Sequence, residues 1–546
     1  MANTIKEDKQ ARKEELAKTI EDGFKAATEA HSNYTASLPC VELLRVLTDR
    51  TEREGLNVED LLNSEGIKKP GRADRVGKTI DLLLSVSENS GHPLTMLNGR
   101  ACYYNGKFWE PVNDLDLGYF LTRAAQVLGV QHYEAMYCDF IRKAADTFKL
   151  SARALVPPRP AGVSLLNCSN GTVEITTQGA RLRKHRPEDG LLYVLPYDFD
   201  PEATAPRFSQ FLREVLPLEP DRDNVQEFCG SLFSDIKTEK LLYLYGATGN
   251  NGKTTFKDII CSALGASNVS TVNLSQITDR GGTGETARAA LEGKLLNACG
   301  ETDREISSAD IFKQIVSREP MSVRPPYEKT VHNIPRNGYA RLMFCCNELP
   351  VFTKGAAKAE ARRFLFIEFA KEVEQEKINI HLTEDITSFE LSGVLNWIIE
   401  GAMKIAAQQG KFTENPHADL VCMEFLEGSN SVLAYLNTYG IKPATPYNVQ
   451  RYRGRVENIS PRMLYNYAGL FEQHQSENER ESYCLYCANN NLKAKGKNNF
   501  LLALRQLGFT EKRTEKDRML QLLILDPEEI YKENEKRAGT LEPEIF

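Results

Sequence analysis

The chain has 546 residues, 41% hydrophobic and 26% charged, an ordinary globular composition with room for about three or four domains and sizeable cores. A formal net charge of −7 excludes a binder whose whole surface is basic, so any nucleic-acid contact has to come from a local positive patch. No run of about 18 apolar residues occurs and Met1 to Glu15 is charged throughout, which speaks against membrane spanning and secretion and predicts an intracellular, cytoplasmic protein. Twelve cysteines, several inside apolar runs, read as reduced, buried thiols rather than a disulfide framework.

Residues 1–88, rich in Lys, Glu, Ala and Leu at helical spacing, predict a helical N-terminal region. A mixed α/β domain is expected over 89–225. Its clearest signal is Asn105-Gly106 between Tyr103-Tyr104 and Phe108-Trp109, a hairpin turn with aromatic flanks. After the stiff connector Val156-Pro157-Pro158-Arg159-Pro160, two strands are expected at Val163 to Cys168 and at Gly171 to Ile175.

The segment 226–410 carries the chemistry. An apolar run, Leu241 to Tyr245, leads into Gly246-Ala247-Thr248-Gly249-Asn250-Asn251-Gly252-Lys253-Thr254-Thr255, and helical spacing follows up to a Gly265 stop. Strand, glycine-rich loop and helix make a phosphate-binding arrangement. Backbone N–H groups of Gly249, Asn250, Asn251 and Gly252 can converge on phosphate oxygens, with Thr255 in the first helical turn. Lys253 can reach the β and γ phosphates, and Thr254 can ligate Mg²⁺. Strict G-x-x-x-x-G-K-[ST] spacing would put a glycine at Ala247; Gly246 and Gly249 bracket that position, so the loop is a variant. ATP and Mg²⁺ are the expected cofactors.

Three further runs end in polar groups suited to such a site. Lys294 to Gly300 delivers Glu301, a carboxylate able to activate the attacking water and help hold Mg²⁺ through it, with Asp303 close enough to share the role. Arg341 to Cys346 delivers Asn347, a neutral group able to hydrogen-bond a γ phosphate or the water. Arg362-Arg363 precedes Phe364 to Phe369, where a guanidinium at a subunit boundary can reach a neighbour's γ phosphate.

Taken in order, Gly249-Asn250-Asn251-Gly252-Lys253-Thr254, Glu301, Cys346-Asn347-Glu348-Leu349-Pro350 and Arg362-Arg363 resemble the superfamily 3 helicases, and more narrowly the helicase part of phage and plasmid primase-helicases related to the poxvirus enzyme. Tyr197-Asp198-Phe199-Asp200-Pro201 is similar to the domain that precedes the motor in that family. The resemblance implies an α/β fold with an AAA+-like P-loop ATPase core, a homo-oligomeric ring, usually a hexamer, and single-stranded and forked DNA as partners. It also implies a pore-facing hairpin between Glu301 and Asn347, where Lys313, Arg324, Lys329 and His332 are the DNA-contact candidates, with Tyr327 among them. The region upstream is too short and too poor in acidic or zinc-ligand clusters for primer synthesis, so a separate primase is expected. Residues 430–546 predict a winged-helix-like C-terminal domain, with Lys493, Lys495, Lys497 and Arg505 available to duplex DNA.

Overall fold

The computed structural model describes residues 40–97, 99–152, 162–246, 251–300, 302–303, 305–325, 332–352, 360–371, 379–429, 431–466, 482–490, 494–513 and 518–537. They belong to two compact units, one up to residue 174 with 180–199, the other 175–179 with 200 onward.

In the first unit, helices α1 (Val41–Glu54), α2 (Val58–Ser64) and α3 (Arg72–Glu88) run into an antiparallel sheet of β1 (Leu94–Leu97), β2 (Arg100–Tyr104) and β3 (Trp109–Pro111), followed by α4 (Asp114–Val127) and α5 (Cys138–Ser151). Helix α3 buries Val76, Ile80, Leu83 and Val86, a stripe three and four residues apart that needs a partner surface. Leu117, Phe120, Leu121, Phe140 and Phe148 belong to the same core. The boundary expected at residue 88 is therefore not a break in packing. At the predicted hairpin, Asn105 Oδ1 accepts from the N–H groups of Lys107 and Phe108, both at 3.0 Å, and Gly106 takes φ +93°. The side chain thus closes the turn that its glycine makes sterically possible. A second small sheet holds β4 (Ser164–Cys168), β5 (Gly171–Thr176) and β6 (Gly179–Arg183), the first two where the sequence predicts them.

The second unit opens with α6 (Pro206–Val215) and α7 (Glu219–Ser231) and then builds a five-stranded parallel sheet. Its strands are β7 (Leu241–Tyr245), β8 (Val269–Ser270), β9 (Leu296–Cys299), β13 (Arg341–Cys346) and β15 (Phe364–Glu368), in the spatial order β15-β7-β13-β9-β8. The connections hold α8 (Lys253–Leu264), α9 (Leu274–Thr278), α10 (Gly282–Ala289), β10 (Glu305–Ile306), α11 (Ala309–Val316), the hairpin β11 (Met321–Val323) and β12 (His332–Ile334), and β14 (Val351–Phe352). Strands covered on both faces read as continuous apolar runs, as Leu241 to Tyr245 and Leu342 to Cys345 do. Tyr245 is in register with Cys346 on one side and Glu368 on the other, so the C-terminal ends of β13, β7 and β15 line one edge.

Helices α12 (Leu382–Phe389), α13 (Leu391–Ala407) and α14 (Pro416–Ser429) follow. Helix α7 lies against α13 backbone to backbone: a Cβ on Gly230 would sit 2.0 Å from the Ala402 nitrogen, and one on Gly401 2.0 Å from the Gln226 oxygen. The boundary expected at 225/226 cuts through α7, which packs with the later helices instead. Fully buried Arg341 fixes the lead-in to β7, donating to the carbonyls of Ser231, Ser234 and Ile236 at 2.9, 3.3 and 3.0 Å and to Thr238 Oγ1 at 2.6 Å.

From residue 431 a separate core gathers Val432, Tyr435, Leu436, Tyr483, Phe500, Leu504 and Leu522. Its elements are α15 (Ser431–Thr438), β16 (Ile441–Pro443), α16 (Pro446–Arg451), β17 (Gly454–Ile459), α17 (Pro461–Asn466), α18 (Tyr483–Asn489), α19 (Lys497–Gln506), β18 (Glu511–Arg513), β19 (Arg518–Leu525) and α20 (Pro527–Arg537). Strand β19 is central and antiparallel to its three neighbours, with β17 along one side and β16 and β18 sharing the other.

Candidate nucleotide site

Strand β7 ends at Tyr245, Gly246 follows it, and α8 starts at Lys253. Residues 247–250, among them Gly249 and Asn250, lie outside the described residues. The two glycines that frame the loop are both required by geometry. A Cβ on Gly246 would meet Asn251 Nδ2 at 2.3 Å, the Phe369 oxygen at 2.8 Å and Lys253 Nζ at 3.0 Å. Gly252 has φ +89°, and a Cβ there would press on Val215 Cγ1 at 2.8 Å and the Phe211 ring at 3.1 Å. Both ends of the glycine-rich segment thus pack too closely against the surrounding protein for any side chain.

Lys253 is 6% exposed, and its ammonium donates to the Gly246 carbonyl at 3.0 Å and to Asn251 Oδ1 at 2.9 Å. Burial pushes its pKa down. The Gly246 carbonyl and Asn251 Oδ1, both neutral, thus accept from the charge where desolvation disfavours it, and an anion arriving there would stabilise it. Thr254 is exposed and Thr255 half-buried in the first turn of α8, beside the N–H groups that a helix start leaves without intrahelical partners. The residues present fit a triphosphate and its metal: a cradle that a Cβ would fill, a buried cation in its mouth and an exposed hydroxyl next to it.

Glu301 lies outside the described residues, directly after Gly300 at the end of β9. Asp303 is engaged elsewhere, accepting from Ser275 Oγ of α9 at 2.9 Å. Thr302 is buried and links β13 to the start of α9, its N–H donating to the Cys345 carbonyl at 3.3 Å while its Oγ1 accepts from the Leu274 N–H at 3.0 Å. Asn347 is exposed at the end of β13, one residue past the pairing of Cys346 with Tyr245. Lys257, one helical turn after Lys253, escapes the sequence reading. Its Nζ lies 3.7 Å from where a Cβ on Gly300 would be, so a second cation stands near the end of β9. The signal for it was the four-residue spacing from Lys253.

The arginine pair divides. Arg363 is 2% exposed, with Nε 2.5 Å from Glu360, Nη1 2.7 Å from Ser317 Oγ and Glu239 at 3.5 Å. It is an internal strut at the start of β15. Arg362 is exposed. Of the DNA-contact candidates, Lys313 is exposed on α11 and Arg324 is exposed just past β11. His332 belongs to the backbone of β12 opposite Val323, its side chain outside the described residues; Tyr327 and Lys329 also lie outside them.

A cluster that the sequence did not suggest lies at the same sheet edge. His417, at the start of α14, has Nδ1 3.0 Å from Asp221 Oδ2 and Nε2 3.0 Å from Glu368 Oε2. Hydrogen bonds to Asp221 first and Glu368 second raise its pKa to about 10, so the ring is an imidazolium at neutral pH. Asp221 is also held by Asn415 Nδ2 at 2.7 Å. Glu368 faces Tyr245 in register, and the next residue's N–H, that of Phe369, donates to the Tyr245 carbonyl at 2.7 Å. The cluster therefore secures the end of β15 beside the end of β7.

Two families match the sequence. The one described as "D5 N terminal like" covers residues 97–217, and a family of unknown function, DUF5906, covers 244–363, from within β7 to Arg363. The pair supports the phage primase-helicase group at its coarse level, and with it a part in DNA replication. No curated protein matches the chain. Among solved structures, apo structures of the NrS-1 C terminal region, including its A form, are similar at 10% identity with TM-scores of 0.38 and 0.39, over 81% of this chain and 98% of theirs. Likeness at that level transfers no residue role.

Proposed function

We propose that the chain is an ATP-dependent DNA helicase or translocase of the superfamily 3 kind, working as a homo-oligomeric, hexameric ring that opens duplex DNA for the replication of a phage, plasmid or mobile element. The observation that carries this reading is the cradle at the end of β7, where Gly246 and Gly252 leave no room for a Cβ and Lys253 is buried against the loop. Its position at the C-terminal edge of a parallel sheet, flanked on both sides, is where open α/β sheets bind ligands. That topology supports an AAA+-like P-loop core. The C-terminal order of helices followed by the β18–β19 pair supports a winged-helix-like domain.

Mg²⁺·ATP, when bound, supplies the phosphoryl group that passes to water, and the metal offsets the charge on the β and γ oxygens. Lys253 neutralises the phosphates from inside the loop, and the first-turn N–H groups of α8 orient them. Thr254 offers its hydroxyl to the metal. Glu301 takes the proton of the attacking water, and Asn347 holds that water or a γ oxygen without adding charge. Exposed Arg362 is the residue for a neighbour's γ phosphate. Arg324 and Lys313, with Lys329 and His332 on or beside the hairpin, serve sequence-independent contacts to the DNA backbone.

ATP hydrolysis with and without single-stranded DNA, alongside fork unwinding, tests this for the wild type and for Lys253→Ala, Glu301→Gln, Arg362→Ala and Arg324→Ala. The reading requires DNA to stimulate turnover, the first three changes to abolish it, and Arg324→Ala to spare hydrolysis while impairing unwinding. Turnover that is stimulated by DNA without any fork opening would indicate an initiator, loader or defence assembly protein instead. Turnover indifferent to DNA would sink both.

A further inference from the structure

The C-terminal core carries a surface that the proposed motor does not use. From Gly428 to Val456 the chain has no acidic residue, and within that stretch stand Lys442, Arg451, Arg453 and Arg455, in a protein whose net charge is −7. Lys442 lies in β16, and helix α16, the short link after it and edge strand β17 carry the three arginines. Arg451, Arg453 and Arg455 are all exposed. Lys442 is paired with Glu533 at 3.0 Å and Arg455 with Glu457 at 2.5 Å, whereas among the described residues Arg451 and Arg453 take part in no salt bridge.

Two tyrosines are interleaved with these cations. The ring of Tyr452 lies under Lys442 Nζ at 4.3 Å and near the Arg451 guanidinium at 5.5 Å, which fixes the spacing of the charges. Tyr447 is 64% exposed, with Arg451 Nη1 bonded to its hydroxyl at 2.5 Å. The backbone beneath is anchored: the Tyr452 N–H donates to the Asn448 carbonyl at 3.0 Å, and the Arg453 carbonyl accepts from the Asp526 N–H at 3.1 Å. Exposed guanidinium groups thus project from an anchored ledge beside the largely exposed ring of Tyr447, whose centroid lies 5.8 Å from the Arg451 guanidinium.

We propose that this ledge binds single-stranded nucleic acid, the arginines contacting successive phosphates and Tyr447 stacking on an unpaired base. Charge complementarity selects a polyanion, and the exposed ring selects unpaired bases, because a duplex keeps its base faces stacked. Helix α16 has six residues, less than two turns, which is too short to fill a major groove. The ledge is distinct from the residues near α19 expected to meet duplex DNA, and it needs neither nucleotide nor ring closure.

The test uses the full chain without nucleotide and a fluorescein-labelled oligothymidylate, with anisotropy read across a salt series. Arg451→Ala, Arg453→Ala and Arg455→Ala are combined, both in the wild type and on Arg324→Ala, so that hairpin and ledge are separated. Loss of three phosphate contacts makes the slope of log K against log salt shallower by about 2 and weakens binding about tenfold or more. Bromodeoxyuridine in the oligonucleotide should cross-link to Tyr447 and lose that adduct in Tyr447→Leu. An unchanged slope and no adduct at Tyr447 overturn the ledge. Equal binding of a duplex, with equal loss in the triple variant, overturns the single-strand assignment. Should the triple variant melt early, Arg453→Glu, a single exposed change, gives the same reading. Because no ATP is present, a failed motor leaves this result standing, and a failed ledge leaves the motor standing.

Discussion

His417 Nε2 lies 3.0 Å from Glu368 Oε2, and through that contact helix α14 is tied to the end of β15, in register with the end of β7. Asp221 completes the clamp from the other side at 3.0 Å. The folded pKa of His417, about 10, stands above an unfolded value near 6.5. Its contribution to stability is therefore complete below about pH 6.5, shrinks as pH rises, and is gone above about pH 10. With the ring partly exposed, that contribution is about 2 kcal/mol. Melting curves of wild type and His417→Ala should be separated most at pH 6 and should converge towards pH 10; a gap that is constant over that range would refute the imidazolium.

For Lys253 the sign is opposite. Burial lowers its pKa, so at neutral pH the ammonium opposes folding of the nucleotide-free protein. Lys253→Met should abolish ATP turnover while leaving the melting temperature unchanged or raising it by a few degrees. Calorimetry beside a turnover assay separates the two effects. A marked fall in melting temperature would show that the lysine is chiefly structural.

Arg362 and Arg363 should part company. Arg363→Ala strands Glu360 in a largely buried pair and should cost about 3 kcal/mol of stability. Arg362→Ala, at an exposed position, should leave the unfolding free energy within about 0.5 kcal/mol of wild type and abolish the turnover of the assembled protein. Mixing Arg362→Ala with Lys253→Ala subunits should restore part of the activity if one residue acts on its neighbour's nucleotide.

Gly401→Ala places a methyl group 2.0 Å from the Gln226 carbonyl, a backbone atom that cannot swing aside. Helices α7 and α13 would have to separate, at a cost of about 3 kcal/mol or more. Urea denaturation reads this directly, and Gly55→Ala, where a Cβ meets nothing but φ is +65°, serves as a control for backbone strain alone.

The strand β7 and helix α8 that flank the glycine-rich segment were legible because they are contiguous and each announces itself by local pattern. The turn at Asn105-Gly106 was legible for the same reason. What escaped depends on partners far apart in the chain. His417 reads as an ordinary histidine until Asp221 and Glu368, 196 and 49 residues away, converge on it. Arg363 looked like a free guanidinium because Ser317 and Glu239 come from other segments. The boundary at residue 88 was read from composition, which registers a change of periodicity but not that α3 buries its stripe against helices beyond the hairpin. Glu301 and Lys329 remain expectations of the motifs.

The strand order has a consequence for synthesis. Strand β7, which carries the loop, is the first of its sheet to leave the ribosome, yet its two neighbours are the last two strands made, and Leu241 pairs with Phe364 about 120 residues later. At typical elongation rates that interval is roughly 6 to 25 s. Until β13 and then β15 emerge, an apolar strand has unpaired backbone edges, so the nascent protein is most exposed to misassociation over that interval.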